Sequence, residues 1–445
     1  MTTLTDVDVR GGPTDPTRLD SWLVWLEARN PHRIELGLGR VRAVWDGLKG
    51  QGFDVPTVVT VAGTNGKGSS VALLEAILRA EGYRVGAYTS PHLIDFTERM
   101  RIEGVDIDPD GLVAAFTVLH AQPGSESLTY FEWATLAAFI AFSNAVLDVW
   151  ILEVGLGGRL DAVNILDADL ALITGIGLDH QAILGPDRPS IAREKAGILR
   201  TGQPAVYTDL SPEPMIPEVA EAVGADLWVS DRDFSLLPGS EGWVLKLPMQ
   251  PDGQVWPNPA LKGRHQIHNA AGVVALMRHP RNPLSVSDAS IRLGLETTVN
   301  IGRFEIWSYQ DRLIILDVAH NQESVRALID NLMTIQDKND TVRRVAIFSA
   351  LEDKPIEAMV SIAGSYFDTW YFAPLTGMRA ASARRLRDAL ATVGGAGVVN
   401  EMGIVPAYNQ ALADSAPGDQ IVIFGSFLTV SAIRPELIRA GAHLV

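Results

Sequence analysis

The sequence predicts an α/β protein in two parts: an N-terminal phosphate-loop domain on a parallel sheet, residues 1–300, and a smaller Rossmann-like α/β domain, residues 301–445. Three observations carry that expectation. Short branched, apolar runs alternate with helical patterns and glycine turns, as in parallel strands joined by crossover helices. A glycine-rich turn containing a lysine separates the first such run from the helix after it. The alternation lapses near Asp226 and restarts beyond Asn300.

Taken in order, the tail MTTLTDVDVR reads as frayed. Leu19, Trp22, Leu23 and Leu26 recur at helical spacing, with Asp15 or Thr17 as the cap. Ile34-Glu35-Leu36-Gly37-Leu38-Gly39 reads as a loop and Val58–Val61 as a buried strand, with a helix over Ser69–Glu81 and a strand over Tyr83–Tyr88. Thr129–Ala145 predicts a helix, and Asp148–Val154 and Asp169–Thr174 predict strands. Between Asp226 and Pro259, short polar runs with Gly and Pro predict an antiparallel excursion. Helices are expected around Asn269–Leu276 and Ser285–Leu295, then strands at Leu313–Leu316, Val345–Phe348, Thr369–Phe372 and Ile421–Phe424.

Composition narrows the function. A chain of 445 residues with 47% hydrophobic and 20% charged residues matches a globular enzyme. A net charge of −16 argues against general nucleic-acid binding and a polybasic membrane anchor. It leaves an anionic substrate open, because phosphate sites use local amides, single lysines and metals. The absence of cysteine excludes disulfide, iron–sulfur, thiolate-zinc and cysteine-nucleophile chemistry. No apolar run reaches the ~18 residues of a membrane helix, and no signal pattern opens the chain. The expectation is a soluble, cytoplasmic protein.

Gly63-Thr64-Asn65-Gly66-Lys67-Gly68-Ser69 lies between a predicted strand and a predicted helix. Glycines let backbone amides close around oxygen anions, the helix start adds positive potential, and Lys67 would reach the outer phosphates. The strict Walker order fails, because Gly68 stands where Ser or Thr would follow the lysine. The bland reading is a structural connector.

Glu153-Val154-Gly155-Leu156-Gly157-Gly158-Arg159-Leu160-Asp161 ends another strand. Leu160 occupies the third glycine position of a dinucleotide fingerprint, so that reading is poor. Glu153 reads as a Mg²⁺ ligand beside the phosphate loop or as a capped strand end. His180, in Asp179-His180, reads as a ligand or a structural histidine. Ser90-Pro91-His92 adds a hydroxyl to the same edge, or is a proline turn with a capping serine. Arg193–Ile198 reads as a solvated helix face, and Asp317–Asn321 as either a functional or a plain strand end.

Together these segments resemble the Mur ligase superfamily, and within it the folylpolyglutamate synthases and bifunctional dihydrofolate synthases. The carriers are VAGTNGKGSS (61–70), TSPHL (89–93), LTYFEWAT (128–135), ILEVGLGGRLDAVN (151–164), LDH (178–180), REKAGI (193–198), GRFE (302–305), DVAHN (317–321), LEDK (351–354) and GSFLTV (425–430). The resemblance implies a Mur-ligase-like central domain whose phosphate loop, Gly63, Thr64, Asn65, Gly66, Lys67, Gly68 and Ser69, binds ATP. It implies one Mg²⁺ on Ser90 and Glu153, and a second on Glu153, His180 and a CO₂-derived carbamate on Lys195. It makes Lys67, Glu153, His180 and Lys195 the catalytic set, and Asn269, Arg303, Asp317 and His320 further nucleotide contacts. Leu36, Thr129, Phe131 and Ala162 match pterin contacts.

The implied activity is ATP-dependent addition of L-glutamate to dihydropteroate, to the γ-carboxylate of folates, or to both, through an acyl phosphate. The expected partners are these small molecules, with no nucleic acid, no membrane and a monomeric chain. The alternatives are another Mur-type amino-acid ligase, a phosphate-loop NTPase without ligase activity, and a pseudoenzyme. Gln181-Ala182 replace the family's Thr-Asp after the histidine, and Ser349 and Pro355 replace a glycine and an acid flanking LEDK.

Overall fold

The computed structural model describes residues 11–29, 35–239, 242–335, 342–377, 379–392 and 396–445. MTTLTDVDVR and Ile34 lie outside the described residues. The chain forms two compact units. Met1–Ile176, Asp187–Pro259 and His268–Thr298 make the first; Gly177–Pro186, Ala260–Ile267 and Val299–Val445 make the second. Two segments expected in the N-terminal domain therefore group with the C-terminal unit. The reason is local: Lys354 Nζ donates to Asp179 Oδ1 at 2.6 Å, and a Cβ on Gly263 would meet Asn331 Oδ1 at 2.4 Å.

In the first unit, α1 (Leu19–Arg29) buries Trp22, Trp25 and Leu26. Asp15 accepts from the amide and hydroxyl of Thr17 in the turn that leads into it. The loop expected to run through Gly39 stops there, because α2 (Gly39–Lys49) begins, burying Val41, Val44, Trp45 and Leu48 along one stripe.

The main sheet follows. Its strands are β1 (Thr57–Ala62), β2 (Val85–Tyr88), β3 (Met100–Ile102), β4 (Val105–Asp106), β5 (Val149–Glu153), β6 (Leu170–Ile173), β7 (Pro204–Tyr207) and β8 (Asp226–Val229). Their order is β4-β3-β2-β5-β1-β6-β7-β8. All pairings from β2 to β8 are parallel, and β3 and β4 add an antiparallel edge. β1 is central because Val58, Val59 and Val61 are apolar on both faces, as a strand covered on both sides must be. The helices α3 (Lys67–Glu81), α4 (Pro109–His120), α5 (Tyr130–Asn144), α6 (Gln181–Leu184), α7 (Arg188–Ala196), α8 (Met215–Val223), α9 (Arg264–Met277) and α10 (Asp288–Thr297) connect and follow these strands. α6 belongs to the second unit and the first residues of α9 lie in its segment.

The antiparallel excursion begins later than expected. Asp226–Val229 pairs parallel with β7, and only β9 (Ser235–Pro238), β10 (Trp243–Leu247) and β11 (Gln250–Trp256) form the separate antiparallel sheet. Among the described residues no helix is long and apolar enough to cross a membrane.

The second unit is built on β12 (Glu305–Tyr309), β13 (Arg312–Leu316), β14 (Arg344–Phe348), β15 (Thr369–Phe372), β16 (Ala396–Val399), β17 (Gln420–Phe424) and β18 (His443–Leu444). Their order is β16-β15-β14-β17-β13-β12-β18, parallel from β16 to β13 with antiparallel β12 and β18. The helices α11 (Gln322–Leu332), α12 (Ile356–Ala363), α13 (Ala383–Ala391), α14 (Ile404–Asp414) and α15 (Phe427–Arg439) complete it. Phe348, Trp370, Phe372 and Phe424 pack together at the centre of its core.

Candidate active site

The phosphate loop turns where glycine is required. Gly63 has φ +149° and Gly66 +92°, and a Cβ on Gly63 would lie 1.8 Å from Thr174 Oγ1. Gly66 precedes α3, so the loop ends on a helix start whose amides and dipole suit an anion. The loop is pinned to β6: Thr64 N donates to Gly175 O at 2.8 Å and Thr174 Oγ1 to Asn65 O at 2.7 Å. Asn269 on α9 reaches it too, with Oδ1 2.4 Å from where a Gly66 Cβ would stand. Lys67 Nζ donates to the Gly63 and Thr64 carbonyls at 3.1 and 3.2 Å.

Parallel register gathers the neighbouring strand ends. Val61 lies opposite Glu153, and Tyr88 opposite Leu152. The buried Glu153 carboxylate accepts from Ser90 N at 3.2 Å, so the structure brings these two together. The peptide bond between Ser90 and Pro91 is cis. Sequence reasoning missed what supports this loop. Arg99 Nε donates to His92 Nδ1 at 2.9 Å, and Glu98 caps the amides of Leu93, Ile94 and Asp95. Burial, helped by the Arg99 charge, holds the His92 ring down to about 4, so the imidazole is neutral at physiological pH.

Lys195 corrects the sequence reading. Within the stretch expected to be solvated, Arg193 is exposed but Lys195 is 5% exposed on α7, beside buried Ile191, Ala192 and Ala196. Its Nζ donates to Gly63 O at 2.7 Å, the carbonyl that Lys67 also uses. The loop after Glu153 packs against the same helix end, where Arg159 N donates to Glu194 O at 2.8 Å.

That loop ends on buried Asp161, which accepts from Leu156 N at 2.8 Å and Val163 N at 3.1 Å. Burial pushes its carboxyl up from 3.8 to about 6, against the pull of these amides and of Lys195. A folded pKa above the unfolded one favours the protonated form in the native state. Asp161 therefore contributes its stability below about pH 4 and loses it as pH rises through 6. A rise of that size is worth about 3 kcal/mol. Denaturant titrations from pH 4 to 7 should show wild-type losing roughly that much relative to Asp161→Asn, and a pH-independent difference would refute the assignment.

Of the residues matched to pterin contacts, Thr129 caps α5, Phe131 sets its ring against Gly155 and 6.1 Å from that of Tyr88, Ala162 is buried after Asp161, and Leu36 is partly exposed. The sequence reading missed Arg40, whose guanidinium joins Glu35 to Glu132. Its position four residues beyond Leu36 is the only local signal.

His180 belongs to the second unit, so the residues matched to a second Mg²⁺ site are divided between the units. His180 has φ +51° and donates its amide to Asp179 Oδ1 at 2.8 Å. Asp179 pairs with Lys354 of the LEDK segment, and His320 Nε2 lies 3.5 Å from its Oδ2. Burial alone would raise the Asp179 carboxyl, but the His320 hydrogen bond and the charges of Lys354, His180 and His320 hold it well below the usual carboxylate range. Asp317 accepts from the amides of Phe304 and Ala319 at 2.9 and 2.8 Å, fixing the turn that carries Arg303. Arg303 stands over the Phe427 ring at 5.4 Å, and the His320 ring lies 5.7 Å from it.

Among the described residues no group of three or more His, Asp or Glu side chains could hold a metal alone. Mg²⁺ asks for less, since it sits on one or two carboxylates plus phosphate oxygens and water. Ser90 and buried Glu153 beside the phosphate loop fit that demand.

A Mur ligase, glutamate ligase domain matches residues 302–427. The dihydrofolate synthase/folylpolyglutamate synthase of Escherichia coli (strain K12) is 40% identical over 441 residues, covering 97% of this chain and 98% of its own. The structure of E. coli FolC in complex with DHPP and ADP superposes with a TM-score of 0.85 at 38% identity, over 95% of this chain and 98% of that one. A bifunctional folylpolyglutamate synthase/dihydrofolate synthase with Mn, AMPPNP and L-glutamate bound gives 0.85 at 39%, over 96% and 99%. A likeness that runs almost end to end and includes the phosphate loop makes this chain a member of the Mur ligase superfamily, in its dihydrofolate synthase/folylpolyglutamate synthase family.

Proposed function

We propose that the protein is an ATP-dependent ligase that adds L-glutamate to dihydropteroate, to the γ-carboxylate of folates, or to both. The observation that carries this is the end-to-end likeness to a dihydrofolate synthase/folylpolyglutamate synthase in a chain whose phosphate loop, Ser90 and Glu153 share one sheet edge.

A carboxylate is a poor acyl donor because oxide is a poor leaving group. Transfer of the ATP γ-phosphoryl group to one carboxylate oxygen makes an acyl phosphate and releases ADP. The amine of L-glutamate attacks its carbonyl carbon, the C–O bond to phosphate breaks, and an amide and phosphate remain. The loop amides and Lys67 hold the phosphoryl group and offset its charge, so positioning and electrostatics do most of the work. The resemblance assigns nucleotide contacts to Asn269 and, in the second unit, to Arg303, Asp317 and His320, and pterin contacts to Leu36, Thr129, Phe131 and Ala162. Mg²⁺ on Ser90 and Glu153, with a second ion on Glu153, His180 and carbamylated Lys195, would neutralise phosphate charge as a Lewis acid.

Carbamylation requires a neutral amine, and an ordinary lysine, with a pKa of about 10.4, is protonated at pH 7. The buried position of Lys195 beside the phosphate-loop carbonyl of Gly63 supports the proposal. A crystal grown with ATP, Mg²⁺ and bicarbonate should show density branching beyond Lys195 Nζ. Unbranched density against the Gly63 carbonyl, with no ion nearby, would remove the carbamate.

The ligase reading is tested by phosphate release with ATP, Mg²⁺, L-glutamate and either dihydropteroate or tetrahydrofolate. Glutamate-dependent release with dihydropteroate shows the synthase step, and with tetrahydrofolate the tail extension. Release independent of glutamate would leave an NTPase and sink the ligase reading.

A further inference from the structure

We infer that Arg40 is a positioning residue that fixes the spacing between two walls of the pterin pocket, an inference that rests on the pterin reading above. One guanidinium serves two separate segments. Towards the chain before α2, Nη1 lies 3.0 Å from Glu35 Oε1, and Nη2 donates to the Glu35 carbonyl at 2.5 Å. Towards α5, Nε donates to Glu132 Oε2 at 3.1 Å, and Nη2 lies 3.1 Å from Glu132 Oε1. The two Glu132 contacts make the fork that a planar guanidinium offers a carboxylate.

Glu132 is itself committed to the helix start. It is buried, its Oε2 accepts from Thr129 N at 2.7 Å, and its own amide donates to Thr129 Oγ1 at 3.3 Å. That reciprocal box holds Thr129 and the first turn of α5, which carries Phe131. Leu36 follows Glu35 directly and is 36% exposed, so its own packing holds it weakly. Arg40 therefore links the backbone beside Leu36 to the turn bearing Thr129 and Phe131. Its link to the pterin runs through those residues, whereas the phosphate loop depends on other contacts, to Thr174, Gly175 and Asn269.

A purely structural ion pair would, when lost, weaken every ligand alike; a spacing device weakens one. The experiment uses the full chain and compares Arg40→Met, Arg40→Lys and wild type. Steady-state kinetics with dihydropteroate are read beside nucleotide affinity from a fluorescent ATP analogue. Arg40→Met should raise KM for dihydropteroate on the order of tenfold, the worth of a charged hydrogen bond, with kcat within about twofold and nucleotide affinity unchanged. Arg40→Lys should recover part of the loss, because it keeps the charge without the fork. Glu132→Gln retains a capping side chain and should shift KM the same way, which keeps the test open if Arg40→Met does not fold. An unchanged KM in the folded variants, or pterin and nucleotide binding falling together, overturns the inference. Wild-type protein with no turnover of dihydropteroate would instead overturn the pterin reading itself.

Discussion

Lys67→Ala loses product formation by at least about 10²–10³-fold and remains folded. The size of the loss follows from removing one preorganised cation from a transferring phosphoryl group. The fold survives because the lysine amine's bonds to the Gly63 and Thr64 carbonyls are local, on a loop that stays tied to Gly175 and Thr174. Hydrogen bonds of that kind are worth roughly 1–2 kcal/mol in all, a shift of a few degrees in Tm. Phosphate release and amide formation are measured beside a melting curve. Near-normal turnover with an unchanged melt would remove the phosphate-loop reading.

Lys354→Met costs about 3–5 kcal/mol of stability in the second unit, because it leaves the Asp179 carboxylate buried without its main cation. The pair is 2.6 Å apart, and its side chains are 5% and 10% exposed, so water screens it little. His320 keeps one hydrogen bond to Asp179 and offsets part of the loss. The double variant Lys354→Met with Asp179→Asn removes the orphaned charge and should recover much of the deficit. Chemical denaturation of wild type, Lys354→Met, Asp179→Asn and the double variant gives the coupling directly. A single variant within about 1 kcal/mol of wild type would show the pair to be incidental.

These two lysines also show what could be read from the chain. Lys67 was legible because its setting is local: four apolar residues, a glycine turn and a helix start lie within about a dozen positions. The central strands of both sheets, β1, β2, β5 and β6 in the first and β13, β14, β15 and β17 in the second, were legible for the same reason, whereas the shorter or more polar edge strands were not read. Val149–Glu153 and Gln420–Phe424 are buried throughout and look so as text. α2 was passed over, although Val41, Val44, Trp45 and Leu48 keep helical spacing, because the reading stopped at the glycine-containing loop that ends on Gly39. Lys195 was not legible bottom-up. Arg193-Glu194-Lys195 is charged like any surface helix, and its burial depends on a carbonyl 132 positions away. Lys354 and Asp179 stand 175 positions apart, and no periodicity links an ion pair at that range. Asp226–Val229 reads with the polar runs that follow it, although Leu227, Trp228 and Val229 are apolar, because a four-residue strand does not show which neighbour it will pair with.

Because Gly177–Pro186 and Ala260–Ile267 fold with Val299–Val445, the C-terminal unit is not a cassette that can be inherited or exchanged by one break near residue 300. A transplant from a relative that changes only the last third of the chain would confront a resident Asp179 with a foreign Lys354 and a resident Gly263 with a foreign Asn331. A chimaera that keeps these contacts carries all three stretches from one parent.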